Sequence, residues 1–193
     1  QHASWRHGAW TPAVAVATGT DWFINWADFP SVTPITATTW AAHWLQQKPG
    51  SVYAYDVRVA MRTDAGATWT AADTPHDDGT PTEHGFVTLF AAADGTRAVW
   101  LDGRHTGGGH DHAGGATGAM TLRSTRVGAD GRPVDGGEEI DARICDCCGT
   151  DAAVTAEGPV VVYRDRSASE IRDIALVRSS QGRWSTPVRV HAD

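Results

Sequence analysis

Three sets of residues recur along this chain at nearly one interval. Arg62, Arg123 and Arg178 each follow an alternating apolar stretch, in "VRVAMRT", "GAMTLRS" and "DIALVRS", at spacings of 61 and 55 residues. Trp44, Trp100 and Tyr163 end short apolar runs at spacings of 56 and 63. Trp10, Trp69 and Trp184 stand in "AWTP", "TWTA" and "RWSTP", 59 and then 115 residues apart, the second gap being about two periods. The missing member falls near "GRPVDG", where Pro133 takes the place of Trp. A repeat of about 58 residues restricts the chain to an array in which each unit buries its apolar face against the next. Each unit breaks into four short alternating stretches punctuated by Gly, Asp, Pro and Thr, with little that reads as an amphipathic helix. The class is all-β, and the architecture that repeats in this way is the β-propeller, a radial array of four-stranded antiparallel blades.

The expected division is the end of one blade and its link over 1–29, then blades over 30–76, 77–137 and 138–193. In the second of these, strands are expected near Phe86 to Ala91, Thr96 to Leu101, Thr117 to Ser124 and Arg132 to Asp135. Propellers close with roughly four to eight blades. About three blades and a part therefore need remaining blades or a second copy to close the ring. The competing architecture is a two-sheet sandwich whose hairpins happen to recur, but a sandwich has no reason to keep the period. Leu, Ile, Val and Phe total only 32 of 193 residues, which alone hints at disorder. Nine Trp, three Tyr and four Phe answer this, because large rings build a core with few aliphatics.

A net charge of −7, with Lys48 as the single lysine and no basic cluster, excludes nucleic acid as a partner, since phosphate neutralisation needs a basic face. No apolar run approaches the ~20 residues of a membrane-spanning helix. The sequence begins at Gln1 without a charged segment leading into an apolar one, so any targeting signal has been removed or the sequence starts within a longer protein. Three Cys at 145, 147 and 148 are not a disulfide framework, which is even in number and dispersed.

The segment "RTDAGATW" (Arg62 to Trp69) resembles the Asp-box of sialidases and related propellers, Ser-x-Asp-x-Gly-x-Thr-Trp, matching at Asp64, Gly66, Thr68 and Trp69, with Arg62 where Ser is usual. "SWRHGAW" and "RSSQGRW" look like degenerate copies. With "DWFINWADFPSV", "GTPTEHGF", "VWLDGR", "ARICDCC" and "VVYRDRS", the resemblance extends over nearly the whole chain, to a bacterial subgroup of sialidase-like (neuraminidase superfamily) Asp-box, or BNR-repeat, proteins. It implies a sialidase-like propeller, a glycan-directed role as an exo-glycosidase such as an exo-α-sialidase or as a non-catalytic relative, and an extracytoplasmic location. Sialidases act through an arginine triad, a Tyr nucleophile paired with Glu, and an Asp acid. The Phe/Tyr-Arg-Ile-Pro motif that carries their first arginine is absent here, so the triad does not transfer residue by residue.

Strand geometry also predicts where the chemistry gathers. In a four-stranded meander, the turn between second and third strands and the link to the next blade emerge at one end, and the other turns emerge opposite. The first end collects Glu83, His84, Arg104, His105, Arg143, Cys145, Cys147, Cys148, Arg164, Asp165 and Arg166, which makes it the default place for a ligand. Arg104, Arg143, Arg164 and Arg166, with His84, are candidates to hold an acidic glycan, because a guanidinium fork binds carboxylate. Local pairing with Asp102, Asp141 and Asp165 is the alternative. Glu83 and Asp165 are candidates for proton transfer, and Tyr163 for a nucleophile if Glu83 or Glu170 reaches its hydroxyl, although the last residue of a strand is more often core. Cys145, Cys147 and Cys148, completed by His84, His105, His110, His112 or Met120, have the makings of a soft site for Cu(I) or Zn(II). Against this stand a Cys147–Cys148 or Cys145–Cys148 disulfide, or thiols that are merely small hydrophobes. The tract "HTGGGHDHAGG", with His105, His110, Asp111 and His112, reads either as a weak metal chelator or as a solvated loop. Trp22, Trp26 and Trp40 offer a platform for a sugar ring or packing between blades. The remaining reading is a structural scaffold for protein contacts.

Overall fold

The computed structural model describes residues 1–63, 68–107 and 118–191. Asp64 and Gly66 of the Asp-box-like turn, and His110, Asp111 and His112, lie outside the described residues. A short hairpin comes first, β1 (Trp5–Arg6) with β2 (Ala9–Trp10). The first sheet holds β3 (Ser31–Thr36), β4 (Thr39–Gln47) and β5 (Tyr55–Thr63), with a single bridge from Val59 to Asp73 where a fourth strand would run. The second sheet holds β6 (His84–Ala92), β7 (Gly95–Asp102), β8 (Thr121–Val127) and β9 (Glu138–Asp141) in that order. In the third, β10 (Asp151–Thr155), β11 (Gly158–Arg164) and β12 (Ile174–Ser180) follow in order, and the outer edge of β12 is shared by β13 (Arg183–Trp184) and β14 (Val188–Arg189).

Period-two alternation assigns each strand's side chains to opposite faces. Along β7, Ala98 and Trp100 point one way and join Leu45, Val57, Val59 and Met61 in a core between the first and second sheets. Val99 and Leu101 point the other way and join Leu122, Val161, Tyr163 and Val177 between the second and third. A third core packs Ala42, Trp44, Ala60 and Trp69 against Val14, Val16 and Trp22 of the N-terminal segment. Consecutive sheets therefore pack face to face in chain order. The first strands lie next to one another, with β6 between β3 and β10. Sheets fanning from adjacent first strands are the blades of a propeller and not the two layers of a sandwich, in which each sheet buries a single face.

One boundary moves. The fourth strand of the second sheet is Glu138–Asp141, not Arg132 to Asp135, so residues 138–141 close that blade instead of opening the next. Pro133 has no N–H for a ladder and makes only an isolated bridge with Val127. The third strand likewise starts at Thr121, later than expected. Trp69 of the Asp-box-like segment is buried, with its ring edge-on to His2 at 5.7 Å.

Candidate functional site

The starts of β5, β6 and β8 and the ends of β7, β9 and β11 all lie at one end of the sheets, because antiparallel pairing sets His84 opposite Asp102, Asp102 opposite Thr121, and Leu122 opposite Asp141. The links between sheets cross this end. Its polar side chains form three distinct groups.

The first is built on the link into β3. Asp28 is buried, and its Oδ2 accepts the Phe86 N–H at 2.6 Å. Gly85 makes this possible, because a Cβ there would run into the Asp28 carboxylate. Beside it, the Tyr55 hydroxyl donates to Glu83 Oε1 at 2.5 Å, and the Tyr55 ring stacks on Phe23 at 3.8 Å. Burial, reinforced by the Glu83 charge and opposed by the Phe86 N–H, pushes the Asp28 carboxyl up to about 6. Burial and then Glu83 hold the Tyr55 phenol protonated, well above its ordinary range. Asp28 also lines an open cavity of about 370 Å³ whose walls include Trp22, Phe23, Phe29, Trp44 and Asn25. Trp26 and Phe29 are exposed beside it. The group thus offers a carboxylic acid that can hold its proton near neutral pH next to an aromatic cleft.

The second group surrounds His84, which is fully buried. Its ring stacks on that of His76, with centroids 3.8 Å apart and planes 4° from parallel. His76 Nδ1 lies 2.9 Å from Asp78 Oδ1 and His84 Nε2 lies 3.2 Å from the same atom. Asp56 Oδ1 lies 3.8 Å from His84 Nδ1, and Asp102 Oδ2 lies 3.8 Å from His84 Nε2. Lys48 and Arg104 bring the opposing charge, with Lys48 Nζ 3.2 Å from Asp56 and Arg104 gripping both Asp102 oxygens at 2.7 and 2.8 Å. Burial lowers the proton affinity of both imidazoles. For His76 it prevails over the Asp78 bond, and for His84 the bond to Asp78 and the charges of Asp102, Asp78 and Asp56 overturn it, so His76 titrates below the ordinary histidine range and His84 above it. Two histidines and a carboxylate invite a metal. Asp56, His76 and His84 form one group with ligand atoms within 4.8 Å of one another, and Asp78, His84 and Asp102 form another that uses a single imidazole.

The third group belongs to the link between β9 and β10. The Cys145 N–H donates to Arg164 O at 2.9 Å and the Ile144 N–H to Met120 O at 2.9 Å. Cys145, Cys147 and Cys148 are free thiols brought together there. Next to them Glu170 gathers three guanidiniums, Arg143 at 3.0 Å, Arg166 at 2.9 Å and Arg172 at 3.4 Å. Bonds from Arg166 and then Arg143 hold the Glu170 carboxyl down at about 2.

The sequence candidates are thus shared among these groups. Glu83 joins Asp28, while His84 and Arg104 join the histidine nest. Arg143 and Arg166 engage Glu170, and Arg164 reaches Cys148 with its side chain. Asp165 Oδ1 accepts the Arg166 N–H at 2.6 Å, so it serves the backbone of its own turn. Two expectations are corrected. Tyr163 is 2% exposed and its hydroxyl donates to Asp141 Oδ2 at 2.6 Å, not to Glu83 or Glu170; it is a core residue with a satisfied hydroxyl, because its face of β11 packs between the second and third sheets. The thiols are not completed by His84, which groups with aspartates, nor by His105, which is exposed and 4.0 Å from Glu139. Asp28, Tyr55, Asp56, His76 and Asp78 were not singled out from the sequence. The glycine after His84, which admits the Asp28 carboxylate, is the one local sign of that approach.

No protein-family model matches the chain, and no curated protein matches it. Among solved structures, the chain is similar to the α-L-arabinofuranosidase of Lactobacillus brevis, with a TM-score of 0.51 and 12% identity over 82% of this chain and 54% of that one. It is also similar to the endo-arabinase of Bacteroides thetaiotaomicron, with a TM-score of 0.51 and 10% identity over 95% of this chain and 69% of that one. The chain spans about half the length of the first. Neither is a sialidase, and at this identity the likeness is one of fold: an all-β, propeller-type arrangement of small antiparallel sheets.

Proposed function

We propose that the chain forms part of a glycan-directed propeller, an exo-glycosidase such as an exo-α-sialidase, in which a sugar ring enters the aromatic cleft and Asp28 donates the proton to the leaving oxygen. The observation that carries this reading is the Asp28 carboxyl in the cleft wall, pushed up to about 6 by burial and by the charge of Glu83, which the Tyr55 hydroxyl engages. Most glycosidases divide their work between an acid that keeps its proton and a second carboxyl group, and sialidases set a tyrosine paired with Glu in the second place. An acidic substituent would be received by Arg143, Arg164, Arg166 and Arg172, whose guanidiniums crowd the same end of the sheets. The remaining blades, supplied by further chain or by a second copy, and the extracytoplasmic location are part of the same proposal and rest on the Asp-box resemblance.

The test is turnover of a panel of fluorogenic glycosides, sialoside and arabinofuranoside included, by the parent and by Asp28→Asn and Glu83→Gln. The expected result is turnover of at least one glycoside, reduced about a hundredfold or more by Asp28→Asn, with circular dichroism unchanged. Undiminished turnover in Asp28→Asn would remove Asp28 from the reaction. Failure of the parent both to turn over and to bind any glycan of the panel would end the glycan reading.

A further inference from the structure

Away from the carboxyl cleft, the link between the second and third sheets folds three sulfurs around one point. Cys145 Sγ lies 3.8 Å from Cys147 Sγ and 3.3 Å from Cys148 Sγ, and all three sulfurs lie within 4.8 Å of one another. Three thiolates bound to one ion at about 2.3 Å stand roughly 3.8–4.0 Å apart, so small rotations of Cys147 and Cys148 complete the triangle. Cys145 is buried and held by its N–H to Arg164 O, whereas Cys148 is half-buried and Cys147 exposed. One vertex is therefore fixed by the fold, and the other two face the side from which an ion arrives.

The donor set narrows the choice of ion. Among the described residues the ligand atoms gathered within 4.8 Å of one another here are sulfur alone. Thiolates suit soft ions, Cu(I) and Zn(II) among them; zinc in structural sites takes four ligands, and the three sulfurs match the lower coordination of Cu(I). Arg164 Nη1 lies 3.6 Å from Cys148 Sγ and Arg172 Nη1 lies 3.6 Å from Cys145 Sγ, with Arg172 also paired to Asp146 at 3.4 Å. The two guanidiniums offset part of the negative charge that three thiolates bring to the site.

We propose that Cys145, Cys147 and Cys148 form a three-thiolate binding site for monovalent copper, with Arg164 and Arg172 as its counter-ions. Binding releases the thiol protons to solvent and transfers no electrons. The sulfurs are separate from the carboxyl cleft, while Arg164 and Arg172 are also the residues proposed to receive an acidic substituent; copper binding is read without glycan, so its failure and that of the glycosidase reading are distinguishable.

The experiment is an anaerobic titration of the full chain with cuprous ion against a chromophoric cuprous chelator, followed by X-ray absorption at the copper edge. One tightly held copper per chain is expected, with a first shell of three sulfurs at about 2.3 Å. Cys147→Ser and Cys148→Ser, both at positions with solvent access, should each weaken binding by more than about a hundredfold, and Arg172→Gln by about tenfold. A shell containing nitrogen or oxygen ligands, copper retained equally by Cys147→Ser and Cys148→Ser, or no competition with the chelator would each overturn the proposal. A thiol assay showing a single free thiol in protein purified anaerobically without added reductant would overturn it in favour of a disulfide.

Discussion

Replacing Asp28 by Asn removes a titrating carboxyl but keeps an oxygen to accept the Phe86 N–H. Asp28 rises from an ordinary 3.8 to about 6 in the folded chain. A folded value above the unfolded one means that the native state prefers the protonated acid. Its contribution to stability is fully present below the unfolded value and is lost as pH rises through the folded one. At 1.36 kcal/mol per unit, the ionised carboxylate costs the parent about 3 kcal/mol near pH 8, of which about 2.5 kcal/mol develops above pH 4. Asn carries no such dependence. Urea unfolding followed by tryptophan fluorescence at a series of pH values should therefore show the variant gaining on the parent by about 2.5 kcal/mol between pH 4 and pH 8. Parallel pH profiles, with the two proteins separated by a constant amount, would refute the placement of a buried, proton-retaining carboxyl at this cleft.

Histidine resonances offer a second check. Proton NMR should show His84 titrating above 6.5 and His76 below it, because burial, which lowers both, is overturned at His84 by Asp78, Asp102 and Asp56 and prevails at His76. The His84 contribution to stability is then complete below 6.5 and disappears as pH climbs through its raised folded value; the reverse order of titration would contradict the stacked geometry. Tyr163→Phe should lower stability by about 1–3 kcal/mol by leaving Asp141 short of a donor, with glycoside turnover unchanged, and lost turnover in a stable variant would return Tyr163 to the reaction. Gly85→Ala should cost about 1–3 kcal/mol as its methyl displaces the Asp28 carboxylate, read as a lowered urea midpoint together with loss of the pH signature of Asp28. Glu170→Gln should leave the melting temperature nearly unchanged yet strengthen binding of a carboxylated sugar, an effect that fades with added salt; equal binding by parent and variant would show that Glu170 does not compete for the arginines.

How much of this was legible in advance depends on which residues carried the period. Trp44, Trp100 and Tyr163 stand five residues after the first residue of β4, β7 and β11, at Thr39, Gly95 and Gly158, so that marker reports a true structural equivalence. The arginines do not. Arg62 pairs with Trp40, Arg123 with Trp100 and Arg178 with Val160, which are three different heights on their sheets. Aromatic residues kept phase because each fills a packed interface. The arginines did not because their long side chains reach partners from several positions. The end of the sheets that gathers polar groups followed from strand direction alone. What strand direction did not reveal was partnership: the approach of Asp28 to Phe86 spans 58 residues and that of Tyr55 to Glu83 spans 28, and both depend on the packing of neighbouring sheets.

The two-sided burial of β7 has a consequence for how the molecule comes apart. Its odd-numbered side chains hold one neighbour and its even-numbered ones the other, so neither seam can loosen without the strand that also anchors the opposite seam. Amide hydrogens of Ala98 to Leu101 should be the last to exchange with deuterium, and they should do so only when both flanking sheets detach in a single cooperative event. A cut between sheets would yield no tidy module, only a fragment with half of its core facing water.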